Sequence, residues 1–212
     1  MYKRQRLDDV ESFHVSVLQR IAMMAETYKA DVSEHPLRVG ELAAAIAEEM
    51  DGAPEFVHQI GLAARLHDIG KVAIPQAVLL KPGPLTVAEF EVMKTHTTRG
   101  SEMVGGSASP VMKLAEEIAL THHERWDGSG YPRGLADESI PISGRIVCVV
   151  DVYDSLTSES VDKRAWSAVD AVNHLLDGRG SRFDPAVVDA FMKVISRRIP
   201  SLALSLGLST PE

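Results

Sequence analysis

The chain has 212 residues, 45% of them hydrophobic and 5% aromatic, with a formal net charge of −8. That length fits one domain plus an extension, and an aliphatic, aromatic-poor composition suits helix-on-helix packing better than a sandwich or barrel. The acidic balance excludes a large basic surface for duplex nucleic acid, although metal ions could still hold a phosphate locally.

The first ten residues carry no apolar signal region, and no stretch approaches the roughly 20 apolar residues of a membrane span. No membrane insertion is expected. Residues 7–29 read as an amphipathic helix, with Val10, Phe13, Val17, Ile21 and Met24 at helical spacing, serving as a linker or a dimerisation helix. A second helix is predicted from a Ser33 cap, with Pro36 in its first turn, to Met50, stopping at Asp51-Gly52. A third runs from Pro54 to His67 and ends near Gly70. Residues 71–85, with Pro75, Pro82, Gly83 and Pro84, read as loop.

Thr86 and Glu89 form a capping box that opens a helix reaching Met103. Residues 110–124 are helical, and the Gly, Pro and Asp of 125–141 form a long structured loop. The segment 142–157 is ambiguous: Ile146 to Val150 alone reads as a strand, but no second strong strand exists to pair with it. It is therefore assigned as a buried helix. Helices over 167–177 and 184–198, capped by Ser167 and Asp184, complete an all-α architecture. The single cysteine, Cys148, lies in this apolar run as a core thiol and fits a reducing cytoplasm.

Eight histidines are present, and their distribution matters more than their number. His67-Asp68 and His122-His123 are adjacent pairs, His96 stands between them, and His35 lies upstream. Asp151 interrupts an apolar run, where a carboxylate needs a partner or a metal. Imidazoles and carboxylates without thiolates suit iron, manganese or zinc. Two such ions a few ångström apart polarise a phosphoryl group and activate water, the chemistry of phosphoester hydrolysis.

The motifs then become specific. His67-Asp68-Ile69-Gly70-Lys71 resembles the HD-x-G-K signature of the HD-GYP family of HD-domain phosphohydrolases. His122-His123-Glu124 followed by Asp127-Gly128-Ser129-Gly130-Tyr131-Pro132 resembles its HHE…DGxGYP signature. His35-Pro36-Leu37-Arg38-Val39, Arg145-Ile146, Asp151-Val152-Tyr153-Asp154 and Phe183-Asp184-Pro185 match further family segments in family order. The resemblance covers residues 25–195. It implies an HD-type helical bundle with an additional N-terminal helix: a helix over 1–24, the HD-GYP domain over 25–200 and a tail over 201–212.

The resemblance also implies a cytoplasmic bacterial phosphodiesterase that hydrolyses cyclic di-GMP to pGpG, GMP or both. The alternatives are a phosphohydrolase for another cyclic dinucleotide or nucleotide, and a signalling module with little catalysis. By position, the implied metal ligands are His35, His67, Asp68, His96, His122, His123 and Asp151. They would hold two or three divalent ions, iron or manganese, with Asp31 placed where three-metal members carry Glu. Asp68 and Lys71 are the implied catalytic residues. Lys71, Lys163, Gly130, Tyr131 and Pro132 are the implied substrate contacts, with Tyr131 serving chemistry or a protein partner at this loop. Arg38 is expected to pair with Asp154 or Glu41. The family's R-P-Y-K is here Ser160-Val161-Asp162-Lys163, so a phosphate-gripping Arg is replaced by a hydroxyl. Further implied partners are a second copy of the chain or an upstream sensory or receiver domain.

Overall fold

The computed structural model describes residues 13, 15–18, 20, 21, 34–159 and 164–205. Helix α1 spans His35–Glu49, α2 Pro54–Ala63, α3 Gln76–Leu79, α4 Val87–Lys94 and α5 His96–Val104. They are followed by α6 Pro110–Thr121, α7 Ile142–Thr157, α8 Ala168–Asp177, α9 Pro185–Arg198 and α10 Pro200–Ser205. Among the described residues there are no strands, only isolated bridges at Asp127–Ala136 and Arg179–Phe183.

The core lies where α1, α2, α6, α7 and α9 meet. Val39, Ala43 and Ile46 of α1 are buried with Ile60 of α2, Ile118 of α6, Ile146 and Val150 of α7, and Phe191 of α9. Close helix approach depends on glycine. A Cβ on Gly40 would lie 2.4 Å from the Gly61 carbonyl oxygen, and one on Gly144 would lie 2.2 Å from Thr121 Oγ1. The ambiguous segment forms α7 over its whole length, with nine of its residues buried. Ser167 and Asp184 cap α8 and α9 as expected, each accepting a backbone N–H.

Several boundaries differ from the sequence reading. The helix expected from Thr86 to Met103 keeps its capping box but breaks at Thr95 into α4 and α5. The run Thr95, Thr97 and Thr98 explains the break. Each hydroxyl donates to the carbonyl three residues back, at 2.7 to 3.0 Å, in competition with the helical ladder. Helix α2 ends at Ala63 and continues as a 3₁₀ turn over Ala64–Leu66. A second 3₁₀ turn, Ile69–Ala73, and α3 occupy part of the segment read as loop. Helix α1 begins at His35, so the cap position falls on Glu34, which makes no side-chain cap, rather than on Ser33. Helix α6 stops at Thr121, three residues short of the expected end.

The described residues between 13 and 21 are helical, but Phe13, Val17 and Ile21 face solvent while Val15 is buried against the core. The expected helical stripe thus lies on the outer face as far as it is described; Val10 and Met24 lie outside the described residues. No helix among the described residues is long and apolar enough to cross a membrane.

Candidate metal centre

Five parts of the fold converge on one buried point: the N-terminus of α1, the junction between the two 3₁₀ turns, the start of α5, the end of α6, and the middle of α7. They bring His35, His67, Asp68, His96, His122, His123 and Asp151 together. Ligand atoms of Asp68, His96, His122 and His123 lie within 4.8 Å of one another, as do those of His35, His67 and Asp151. Asp68 joins the two sets. Its Oδ1 is 3.3 Å from His96 Nε2 and 3.7 Å from His122 Nε2, while its Oδ2 is 3.2 Å from His67 Nε2.

The imidazoles are oriented from behind. His67 Nδ1 lies 2.9 Å from the Ala64 carbonyl, His96 Nδ1 2.7 Å from that of Met93, and His122 Nδ1 3.0 Å from that of Ile118. A carbonyl only accepts, so each Nδ1 carries a proton and each Nε2 is turned inward. His35 Nδ1 is fixed instead by Asp154 Oδ2 at 2.6 Å, and its Nε2 faces Asp151 Oδ1 at 3.6 Å.

These residues fit a cation. His96 Nε2 and His122 Nε2 face each other at 3.4 Å. His67 Nε2 and Asp68 Oδ1 are buried without a hydrogen-bond partner. Converging acceptors of this kind repel one another until positive charge sits among them. The titration of the protein alone points the same way. Burial alone would raise the Asp68 carboxyl and lower His67. Lys71 and His67 nevertheless hold Asp68 well below the usual carboxylate range, and Asp68 and Asp151 hold His67 well above its own. Burial and the neighbouring imidazoles push His122 and His123 down, which keeps them neutral as ligands.

Around this cluster lies a supporting set. Arg38 grips Asp154 with two hydrogen bonds, Nε to Oδ1 at 2.6 Å and a terminal nitrogen to Oδ2 at 2.9 Å, so of the two expected carboxylates it selects Asp154. Burial opposes the Asp154 charge, but His35 and Arg38 keep its carboxyl low. Lys71, on the second 3₁₀ turn, pairs with Asp68 Oδ2. That turn packs backbone to backbone on α5: a Cβ on Gly70 would lie 1.9 Å from the His96 carbonyl oxygen.

The loop after His123 is built around Glu124, for which sequence reasoning assigned no role beyond its place in the motif. Glu124 is buried, and its two oxygens accept the Arg133 and Leu135 N–H groups at 2.8 and 3.0 Å. Gly130 crosses this spine so closely that a Cβ would lie 2.3 Å from the Arg125 nitrogen. Tyr131 thereby stacks on His123, with centroids 4.8 Å apart and planes at 29°. Pro132 is exposed beside it. Asp31, Ser160 and Lys163 lie outside the described residues.

A helical bundle that buries a His-Asp pair among further imidazoles is the architecture of an HD-type metal-binding domain. Residues 19–187 match the HD domain family. The chain belongs to that family, and its HHE and DGSGYP segments put it in the HD-GYP branch. It is 47% identical over 186 residues to a cyclic di-GMP phosphodiesterase of Thermotoga maritima, covering 88% of this chain and 50% of the relative. It is 35% identical over 185 residues to a 3′3′-cGAMP-specific phosphodiesterase of Vibrio cholerae, covering 87% and 35%. Among solved structures, a cyclic GMP-AMP-specific phosphodiesterase of V. cholerae superposes with a TM-score of 0.65 at 19% identity, covering 91% of this chain and 50% of that one. The chain spans half or less of the length of these relatives. HD-domain phosphohydrolases bind divalent metals, and the His and Asp clusters here suit that use.

Proposed function

We propose that the protein is a metal-dependent phosphodiesterase that hydrolyses cyclic di-GMP to pGpG, GMP or both. The observation that carries this reading is the single carboxylate, Asp68, set between two groups of inward-facing ligand atoms. The relative of 47% identity supports the choice of substrate. His35, His67, Asp68, His96, His122, His123 and Asp151 would hold two or three divalent ions, with Asp31 as the further carboxylate for a third. Iron or manganese is the ion that the family resemblance implies, and nitrogen and oxygen donors without thiolate suit either. When bound, such ions supply Lewis-acid polarisation of the phosphoryl group and a water of lowered pKa.

The chain's own residues do the rest. Asp68 stays ionised beside Lys71 and so serves both ligand groups at once. The Lys71 ammonium adds positive charge where non-bridging phosphate oxygens gain charge in the transition state. Tyr131, Gly130 and Pro132 form the wall beside His123, and Lys163 is the further candidate for phosphate contact. The domain occupies residues 25–200, with a linker or dimer helix over 1–24 and a tail over 201–212. A cytoplasmic setting, a second copy of the chain or an upstream sensory or receiver domain, and a protein partner at the Tyr131 loop complete this reading. With a net charge of −8, duplex nucleic acid is not among the partners.

A second reading, 3′3′-cGAMP as substrate, is favoured by the relative of 35% identity. The test is product analysis on protein loaded with manganese or iron under anaerobic conditions, with cyclic di-GMP, 3′3′-cGAMP and cyclic di-AMP offered in parallel. Faster turnover of cyclic di-GMP is expected. Turnover of none of them by metal-loaded protein would sink the reading and leave a binding module.

A further inference from the structure

Helix α4 differs from the other long helices in burying none of its side chains. It is nevertheless ordered from both ends. Thr86 and Glu89 form its capping box, Lys81 pairs with Glu89 at 2.5 Å, and α5 follows immediately. Its apolar residues face outward: Val87 is 82% exposed and Phe90 46%. Yet Phe90 does not stand apart from the metal centre. Its ring lies edge-to-face on Tyr131, with centroids 6.1 Å apart and planes at 82°, and Tyr131 stacks on His123. Lys94, one turn on, places its ammonium 5.5 Å from the Phe90 ring centre and 5.7 Å from that of Tyr131, and pairs with Glu91 at 2.6 Å. A chain of three rings thus runs from a candidate metal ligand out to a half-exposed aromatic side chain.

We infer that Phe90 is a stacking platform for a nucleobase of the substrate. This rests on the phosphodiesterase reading above. A phosphodiester held at the metal centre carries a ribose and base close beside it, and Phe90 is the ring next beyond Tyr131 from His123. Flat apolar surface is what a base can cover, and the Lys94 cation fixes the ring pair from one side. Every base has a π-face, so such a platform tolerates guanine and adenine alike. Phe90 therefore contributes affinity, and discrimination between cyclic dinucleotides belongs to other residues.

The test compares wild type, Phe90→Ala, Phe90→Trp and the neighbouring Val87→Ala, each with measured metal content and steady-state kinetics on cyclic di-GMP and 3′3′-cGAMP. Phe90→Ala should raise KM about tenfold for whichever substrates wild type accepts. Phe90→Trp should restore it, and Val87→Ala should match wild type. Metal content should stay constant throughout. Unchanged KM in Phe90→Ala would overturn the inference and leave this face of α4 to a protein partner. Loss of metal in Phe90→Ala, with no rescue by Trp, would overturn it in favour of a purely structural prop for Tyr131. Wild type that turns over no cyclic dinucleotide would remove the phosphodiesterase reading and this inference together, a result distinct from either of the others.

Discussion

The two halves of the ligand cluster are held in different ways. On one side, His35 depends on a side-chain network in which Asp154 accepts from His35 and Arg38, while Ser158 accepts from Arg38 and donates to Asp154. On the other, His96 and His122 are fixed by backbone carbonyls three and four residues back in the chain. A side-chain network can be dismantled by one substitution, whereas a carbonyl cannot be mutated away. His35 is therefore the adjustable ligand of its half, since His67 beside it is also held by a carbonyl, that of Ala64. The His96–His122 half is as rigid as the helices that carry it.

The largest effect should come from removing what the halves share. Asp68→Ala is expected to abolish turnover and deplete metal from both sides, measured by elemental analysis and product formation. Full metal content with normal kinetics would show that the halves do not meet at Asp68. Next, Asp154→Asn should loosen the His35 half alone. Loss of such a supporting partner typically costs 10–100-fold in metal affinity or activity. A graded chelator titration should then show one weakened class of site and one unchanged. Uniform weakening of all sites would break the comparison.

Much of this centre was legible in the sequence because its ligands sit in adjacent pairs or interrupt apolar runs, as His67-Asp68 and Asp151 do. The fold was legible for a related reason. The extent of α7 follows from excluding a lone strand, and the caps of α8 and α9 from local hydroxyl and carboxylate chemistry. The break at Thr95 was not legible, because it turns on hydroxyls competing for carbonyls inside an otherwise good helical pattern. The stripe of Phe13, Val17 and Ile21 was legible as a helical pattern, but periodicity gives a stripe and not what lies beneath it. The role of Glu124 depends on a loop folding back nine to eleven residues later, a distance that no local pattern encodes.

Glu124 also offers a smaller perturbation that sharpens the contrast, since it supports the loop beyond the rigid half. In Glu124→Gln the side-chain NH₂ replaces one acceptor, leaving Arg133 or Leu135 N–H unpaired at a cost of about 1–3 kcal/mol. A lower Tm with unchanged metal content is expected, since His122 and His123 keep their places. Metal loss would mean that the loop, and not the helix, secures this half.

The smallest effect should come from a control remote from both halves. The Lys81 ammonium, with Thr86, lowers the Glu89 carboxyl to about 2. A depressed carboxyl contributes stability above its unfolded pKa of about 4.3, and that contribution disappears as pH falls toward the folded value. The Tm difference between wild type and Glu89→Gln should be present near neutrality and close as pH drops below about 4.3. Metal content at neutral pH should be equal in both proteins. A pH-independent difference would remove Glu89 ionisation from the stability of α4.

The contact between Gly70 and α5 acts as a ruler. The turn over Ile69–Ala73 touches the His96 carbonyl and the Gly100 backbone with no side chain between them. The separation of Asp68 from His96 is therefore set by main-chain dimensions, which do not vary with the residues filling the core. Substitutions elsewhere in the bundle can soften or stiffen the protein without changing the gauge between these two ligands. A change in preferred ion would have to come from exchanging a ligand or from the looser His35 side.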